Sequence, residues 1–217
     1  GEPRHPPRLA WQTDQPMNPA SVNKHVTTFA ALDQLGPAYT WTTPVYVDGA
    51  VRNGVLEGNL YIQGSGDPKL VVERLWLLLR RVQGLGIRGI AGDIVLDRSA
   101  FDAGTPDPGA FDGRPFKAYN AGPDALLINY KSVVMTFQPD AGGQTARVSY
   151  EPPLAGVAQQ ASVPIVNAKG GCGDWRAALR AEFDATRIAF AGSYPAAGGG
   201  GHWATAYADP ARFSARA

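Results

Sequence analysis

Residues 18–32 read NPASVNKHVTTFAAL, and what this stretch must become decides how the rest of the chain is read. Asn18 has a side-chain oxygen able to accept from a free helix N–H, and Pro19 is pre-set for a first helical position. Val22, Val26, Phe29 and Ala30 recur at helical spacing, and Leu32 and Leu35 widen the stripe. Gly36 followed by Pro37 is a stop signal. The pattern predicts a helix over residues 19–35 with one apolar face. Ser21 and Lys24 stand three apart in its first turns, so their side chains share a face. Ser21 also lies near the helix N-terminus, where unpaired N–H groups and the positive dipole end stabilise developing negative charge. A serine acyl transferase needs a hydroxyl that can lose its proton, a nearby amine to receive it, and N–H donors for the oxyanion. The tetrad alone is weak evidence. With 8 Ser and 5 Lys in the chain, Ser-x-x-Lys arises by chance in roughly one such sequence in five. Taken alone, a solvated Ser21 and Lys24 on a helix face is the ordinary reading.

Outward from that helix the chain turns β-rich. Residues 39–47 are β-branched and aromatic, residues 55–63 alternate in part, and Asn53-Gly54 between them is a hairpin signal. A second helix is expected over 69–83, burying Val71, Leu75, Leu78, Leu79 and Val82, and ended by Gly84 and Gly86. Residues 90–96 then read as a strand, which makes a βαβ unit with a right-handed crossover. Residues 99–122 are loop-rich. Strands are expected at 125–138, 145–151, 187–191 and 202–207, residues 175–183 suit strand or helix, and Asp209-Pro210 looks like a helix start.

Composition narrows the class. The 217 residues are 44% apolar and 18% charged, enough for a real core in one large or two small domains. Lys plus Arg number 20 against 19 Asp plus Glu, a net +1 that makes no electrostatic case for nucleic acid or an anionic membrane. The longest strongly apolar run, residues 75–79, is too short to span a bilayer. Gly and Pro together make about a fifth of the chain, above the usual ~12%, so many turns and short strands are expected rather than a helical bundle. Gly1 opens the sequence, so a removed targeting segment or a fragment of a longer protein is expected.

The run 18–32 resembles the active-site helix of the low-molecular-mass class C penicillin-binding proteins, the D-alanyl-D-alanine carboxypeptidases/endopeptidases of the penicillin-binding protein 4 type. The resemblance continues through VLEGNLYIQGSGDP at 55–68, GIAGDIVLD at 89–97 and YNAGPDALLIN at 119–129. Ordered matches over most of the chain are far more specific than one tetrad. The resemblance implies an α+β, multidomain architecture: part of a serine β-lactamase/penicillin-binding fold with β-rich inserted domains. Residues 1–41 would be the first segment of the catalytic domain. Residues 42–200 would be the inserted domains with one βαβ unit, and 201–217 a return to the catalytic domain. It implies Ser21 as nucleophile and Lys24 as general base, acting on peptidoglycan stem peptides, with β-lactams acylating the same hydroxyl. It implies no metal or nucleotide cofactor and an extracytoplasmic or periplasmic location.

Two further family elements, Ser-x-Asn and Lys-Thr-Gly, complete such a site. Ser21-Val22-Asn23 spells the first only within the tetrad. Lys169-Gly170-Gly171 sits in a Gly-rich turn before Cys172 and matches the second only in part. In the family both come later than residue 217, so the chain looks like the N-terminal half, weak or inactive by itself. A related serine β-lactamase or esterase, and a non-catalytic peptidoglycan-binding or scaffold module, are the competing readings; the β-rich insertion argues against the compact enzymes. His25 points about 100° away around the helix. His5 and His202 lack ligand spacing. The segment 64–68, GSGDP, lacks the ending of a phosphate loop and reads as a turn. Lone Cys172 excludes an internal disulfide framework. The five Trp residues are expected in a core or between domains.

Overall fold

The structure, a computed structural model, describes residues 9–102, 104–166, 174–195 and 199–217. Cys172, His5 and the Lys169-Gly170-Gly171 turn fall outside them. The chain divides into residues Gly1–Thr40 and Trp41–Ala217.

The first unit is built on one helix. A 3₁₀ turn, Ala20–Val22, leads into α1 (Asn23–Leu35), which stops at Gly36 in a positive-φ conformation (φ 77°), as the Gly-Pro pair predicts. The helix therefore begins one residue later than Pro19 and tighter than expected. Its apolar stripe is exposed, Phe29 at 71%. The expected burial of that stripe is not found within this unit.

In the second unit, β1 (Val45–Val47) and β2 (Ala50–Arg52) run antiparallel to β4 (Leu60–Gln63) and β3 (Val55–Glu57). Asn53 (φ 50°) and Gly54 (φ 83°) close the hairpin, the doubly left-handed turn that matches strand twist. After α2 (Val72–Gly84), β5 (Gly89–Ile90) lies parallel to β3 and β6 (Ile94–Asp97) parallel to β4. The expected βαβ unit is present. Val82 of α2 is buried and Leu75 packs against the core, while Leu79 is exposed.

Each of the three chain passes is broken at the same level, where Asp48 and Asn59 tie them together. Asn59 donates its N–H (2.6 Å) and side-chain amide (2.8 Å) to the Asp48 carboxylate, and the Tyr61 hydroxyl donates to it at 2.7 Å. Asn59 Oδ1 accepts the Asp93 N–H at 2.8 Å. A Cβ on Gly49 would fall 2.1 Å from the Glu57 carbonyl oxygen, so the crossing admits no side chain there. These donors, the Asn59 N–H first, hold the Asp48 carboxyl below its ordinary 3.8. A carboxyl depressed in the fold contributes stability above its unfolded pKa, and that contribution is lost as pH falls through the folded value. The gap in melting temperature between the wild type and Asp48→Asn is therefore expected to be widest near neutrality and to narrow below about pH 4. A gap that stays constant from pH 6 to 3 would refute the assignment.

The remainder forms two sheets. β7 (Ser132–Pro139), β8 (Thr145–Glu151), β10 (Ser162–Val166), β13 (Tyr194–Pro195) and β14 (Gly201–Ala206) make a five-stranded sheet in the order β13-β10-β8-β7-β14. β9 (Ala158–Gln159), β11 (Leu179–Phe183) and β12 (Arg187–Gly192) make a three-stranded one in the order β11-β12-β9. β7 alternates as a half-buried strand should, with Val133, Met135 and Phe137 fully buried. Phe137 stacks on Tyr194 at 5.6 Å and meets Phe190 and Trp175 at 5.2 Å, and Trp203 packs on Phe190 at 6.0 Å. This aromatic cluster joins the two sheets, each buried ring adding about 1.5–3 kcal/mol by leaving water. Trp175 and Trp203 are thus core residues, whereas Trp11, Trp41 and Trp76 are exposed. A short helix, α3 (Phe213–Arg216), follows Asp209-Pro210.

Two expected strands are shorter than read. Residues 39–44 carry no strand. Residues 125–131 carry none because Asn129, Tyr130 and Lys131 are left-handed (φ 43°, 55° and 50°), which ends any β ladder before Ser132. Among the described residues no helix is long and apolar enough to cross a membrane.

Candidate functional site

The head of α1 is organised by Asn18. Its Oδ1 accepts the Ala20 N–H at 2.9 Å, and the Val22 N–H closes the 3₁₀ turn on the Pro19 carbonyl at 2.9 Å. Ala20 is left-handed (φ 43°), a conformation that costs a non-glycine residue about 1 kcal/mol and persists only where neighbours enforce it. The tight turn sets residues three apart one above the other. Lys24 Nζ thereby lies 3.1 Å from Ser21 Oγ and donates to it. Among the described residues the Ser21 N–H finds no acceptor. Hydroxyl, amine and a free N–H thus converge at the positive end of a helix, the set that acyl transfer through an oxyanion requires.

Both side chains are exposed. An ammonium that donates to a hydroxyl cannot also receive its proton. The base role needs a neutral amine, which desolvation or neighbouring cations favour. His25 forms no hydrogen bond with this pair. His202 lies in β14, where Nδ1 is 3.0 Å from Thr136 Oγ1. Among the described residues no three His, Cys, Asp or Glu side chains gather as metal ligands.

A second polar cluster escaped sequence reading. Asp124 is buried, with 6% of its side chain exposed, and takes Lys131 Nζ on Oδ2 at 3.0 Å and Arg98 Nε on Oδ1 at 3.0 Å. The Leu126 N–H adds a third donor at 3.0 Å. Gly122-Pro123 signals the turn that precedes Asp124, but nothing local announces its two cationic partners, 26 residues before it and 7 after.

The sequence profile of the D-Ala-D-Ala carboxypeptidase 3 (S13) family matches residues 8–217. The chain belongs to this family. Among curated proteins, this S13 chain is 38% identical over 84 residues to the D-alanyl-D-alanine carboxypeptidase DacB of Haemophilus influenzae, covering 39% of the chain and 18% of that protein. It is 37% identical over 86 residues to the D-alanyl-D-alanine carboxypeptidase of an Actinomadura species, covering 39% of the chain and 16% of the relative. Its fold matches the crystal structure of penicillin binding protein 4 from Haemophilus influenzae with a TM-score of 0.65 and 24% identity, over 92% of this chain and 44% of that one. A second structure of that protein, complexed with a novel β-lactam, matches with a TM-score of 0.57 at 22% identity. The S13 chain therefore spans less than half the length of the relatives that it matches. The mixed α+β architecture expected from sequence agrees with this likeness.

Proposed function

We propose that the protein is a serine-type D-Ala-D-Ala carboxypeptidase/endopeptidase acting on peptidoglycan stem peptides, with Ser21 as nucleophile and Lys24 as general base. The observation that carries this reading is the 3.1 Å contact between Lys24 Nζ and Ser21 Oγ at a helix head, in a chain of the S13 family. Ser21 Oγ attacks the carbonyl carbon of the penultimate D-Ala, and its proton passes to neutral Lys24. The resulting oxyanion is stabilised by the Ser21 N–H. The amide C–N bond then breaks, and the terminal D-Ala or the cross-linked amine leaves with that proton. Water hydrolyses the ester and restores the hydroxyl. A β-lactam carbonyl is attacked in the same way and leaves a covalent adduct.

Residues 1–41 supply the first segment of the catalytic domain and 42–200 the inserted domains. Residues 201–217 lead back toward the catalytic domain, starting from a strand laddered to β7. The substrate places the working protein outside the cytoplasm, in the periplasm. The test is intact-mass analysis of the full-length protein after benzylpenicillin, followed by peptide mapping. One adduct on the peptide that contains Ser21 is expected; an adduct mapped elsewhere, or none, defeats the reading.

A further inference from the structure

On the free edges of the five-stranded sheet and of the β11-β12-β9 sheet lies a groove that the acyl-transfer reading leaves unused. β11 ends the three-stranded sheet and β14 ends the five-stranded one. Between them is a cavity of about 530 Å³, floored by Phe116, Phe183 and Trp203. Its charged lining is of one sign, Arg114, Lys117, Arg176 and Arg180, with no Asp or Glu among the lining residues. Arg176 pairs with Asp174 at 3.0 Å and Arg180 with Glu182 at 3.5 Å, exposed pairs of the weak kind. Arg114 and Lys117 make no direct ion pair among the described residues, although the carboxyl of Asp112 feels the charge of Arg114 and that of Asp174 the charge of Lys117.

The main chain adds direction. In the β11–β12 ladder the Ser193 N–H bonds the Ala178 carbonyl and the Asp184 N–H bonds the Arg187 carbonyl. Antiparallel pairing alternates, so Arg180 and Glu182 turn their N–H and C=O groups toward β12. Leu179, Ala181 and Phe183 turn theirs outward, and these three line the groove. The Leu179 N–H closes the preceding 3₁₀ turn on the Arg176 carbonyl, while among the described residues nothing pairs with the outward N–H and C=O groups of Ala181 and Phe183. On the opposite wall the loop residue Phe116 is fastened to β14, its carbonyl taking the Ala206 N–H at 3.0 Å and the Thr205 hydroxyl at 2.9 Å. The edge of β11 is left as an open template.

We propose that this groove binds an acidic peptide in extended conformation, which adds as a strand to the free edge of β11. Its main chain pairs with Ala181 and Phe183 and donates to the Leu179 carbonyl. Its carboxylates meet the Arg114–Lys117 and Arg176–Arg180 rims, and its apolar side chains lie on Phe116 and Trp203. Strand addition draws affinity from the main chain and selectivity from the alternating side chains. Cationic side chains on a sheet edge also discourage pairing with like-charged or neutral strands, so the same residues that guard the edge select an acidic guest. The inference does not depend on Ser21 or its reaction.

The test is fluorescence anisotropy of the 217-residue chain with a fluorescein-labelled pentapeptide of alternating glutamate and valine. Saturable binding that weakens with added salt is expected. The same peptide with lysine for glutamate, and one N-methylated at alternate amides, should each bind at least about tenfold more weakly, the equivalent of one or two lost hydrogen bonds. Ala181→Pro removes an N–H that points away from β12, and an edge strand tolerates it. It should weaken the glutamate peptide about three- to tenfold with the circular dichroism spectrum retained. Arg114→Glu with Lys117→Glu should weaken it about tenfold. Equal binding of the N-methylated peptide would mean that charge alone holds the ligand, and would overturn strand addition. Absence of binding, or equal binding of the lysine peptide, would overturn the proposal outright. The N-methylated arm decides even if Ala181→Pro fails to fold.

Discussion

If Ser21 is the nucleophile as proposed, Ser21→Ala is expected to lower the rate of benzylpenicillin acylation, and of D-Ala release, by about 10⁴-fold or more in the full-length protein, because the ester oxygen is then removed. The effect should fall on kcat, with KM for the peptide changed only slightly, since the hydroxyl contributes little to binding the ground state. Lys24→Ala is expected to cost less, about 10²–10⁴-fold, the usual value of a positioned base. The two substitutions together should cost no more than Ser21→Ala alone, because in the proposed mechanism Lys24 acts only through the Ser21 proton. Stopped-flow acylation with a chromogenic cephalosporin measures both. If Ser21→Ala retains more than about a hundredth of the wild-type rate, the nucleophile lies elsewhere.

Asp124→Ala is expected to destabilise the second unit by about 3–5 kcal/mol, the usual cost of leaving a buried charge without its partner. Lys131 would be the stranded group: 8% of its side chain is exposed, and Asp124 is its one ion-pair partner among the described residues. Lys131→Met should cost less, since Asp124 keeps Arg98 and the Leu126 N–H. Asp124→Leu combined with Lys131→Met should recover most of the loss, because an apolar pair of similar volume often replaces a buried ion pair without penalty. Urea unfolding with a constant m-value tests the set. A loss below about 1 kcal/mol for Asp124→Ala would show that water reaches the cluster and that the pair is not a structural element.

The parts of this fold that were legible in the sequence are those written in local chemistry. Gly36-Pro37 stops α1 and Asn53-Gly54 turns the hairpin, each because the required backbone angles admit few residues. The βαβ unit followed from a change of apolar period along residues 55–96. Ser21 and Lys24 are placed by a three-residue offset on one helix, so their contact was readable without tertiary knowledge. What escaped depends on distant partners. The apolar stripe from Val22 to Leu35 predicts burial, but a period cannot say which surface covers it, and its residues are exposed. The run 125–131 is apolar enough to read as strand, but the Asn129 N–H is held by the Leu70 carbonyl at 2.9 Å, a tie from the segment just before α2 that no local pattern contains. Residues 158–166 carry β9 and β10, which are not anticipated from the sequence; the two belong to different sheets.

The turn at Asn129–Tyr130–Lys131 takes the left-handed backbone conformation at three successive residues, the longest such run among the described residues. L-amino acids resist this screw sense, at about 1–2 kcal/mol each. Lys131 nonetheless reaches Asp124 at the end of that counter-wound path. The ion pair and the reversed screw are therefore coupled: relaxing the backbone to its ordinary hand would swing the ammonium off its carboxylate. An inserted or deleted residue here would displace a charge as well as lengthen or shorten a loop. Sequence drift among relatives should accordingly preserve the spacing between Asp124 and Lys131 more strictly than the identity of the side chain at position 130.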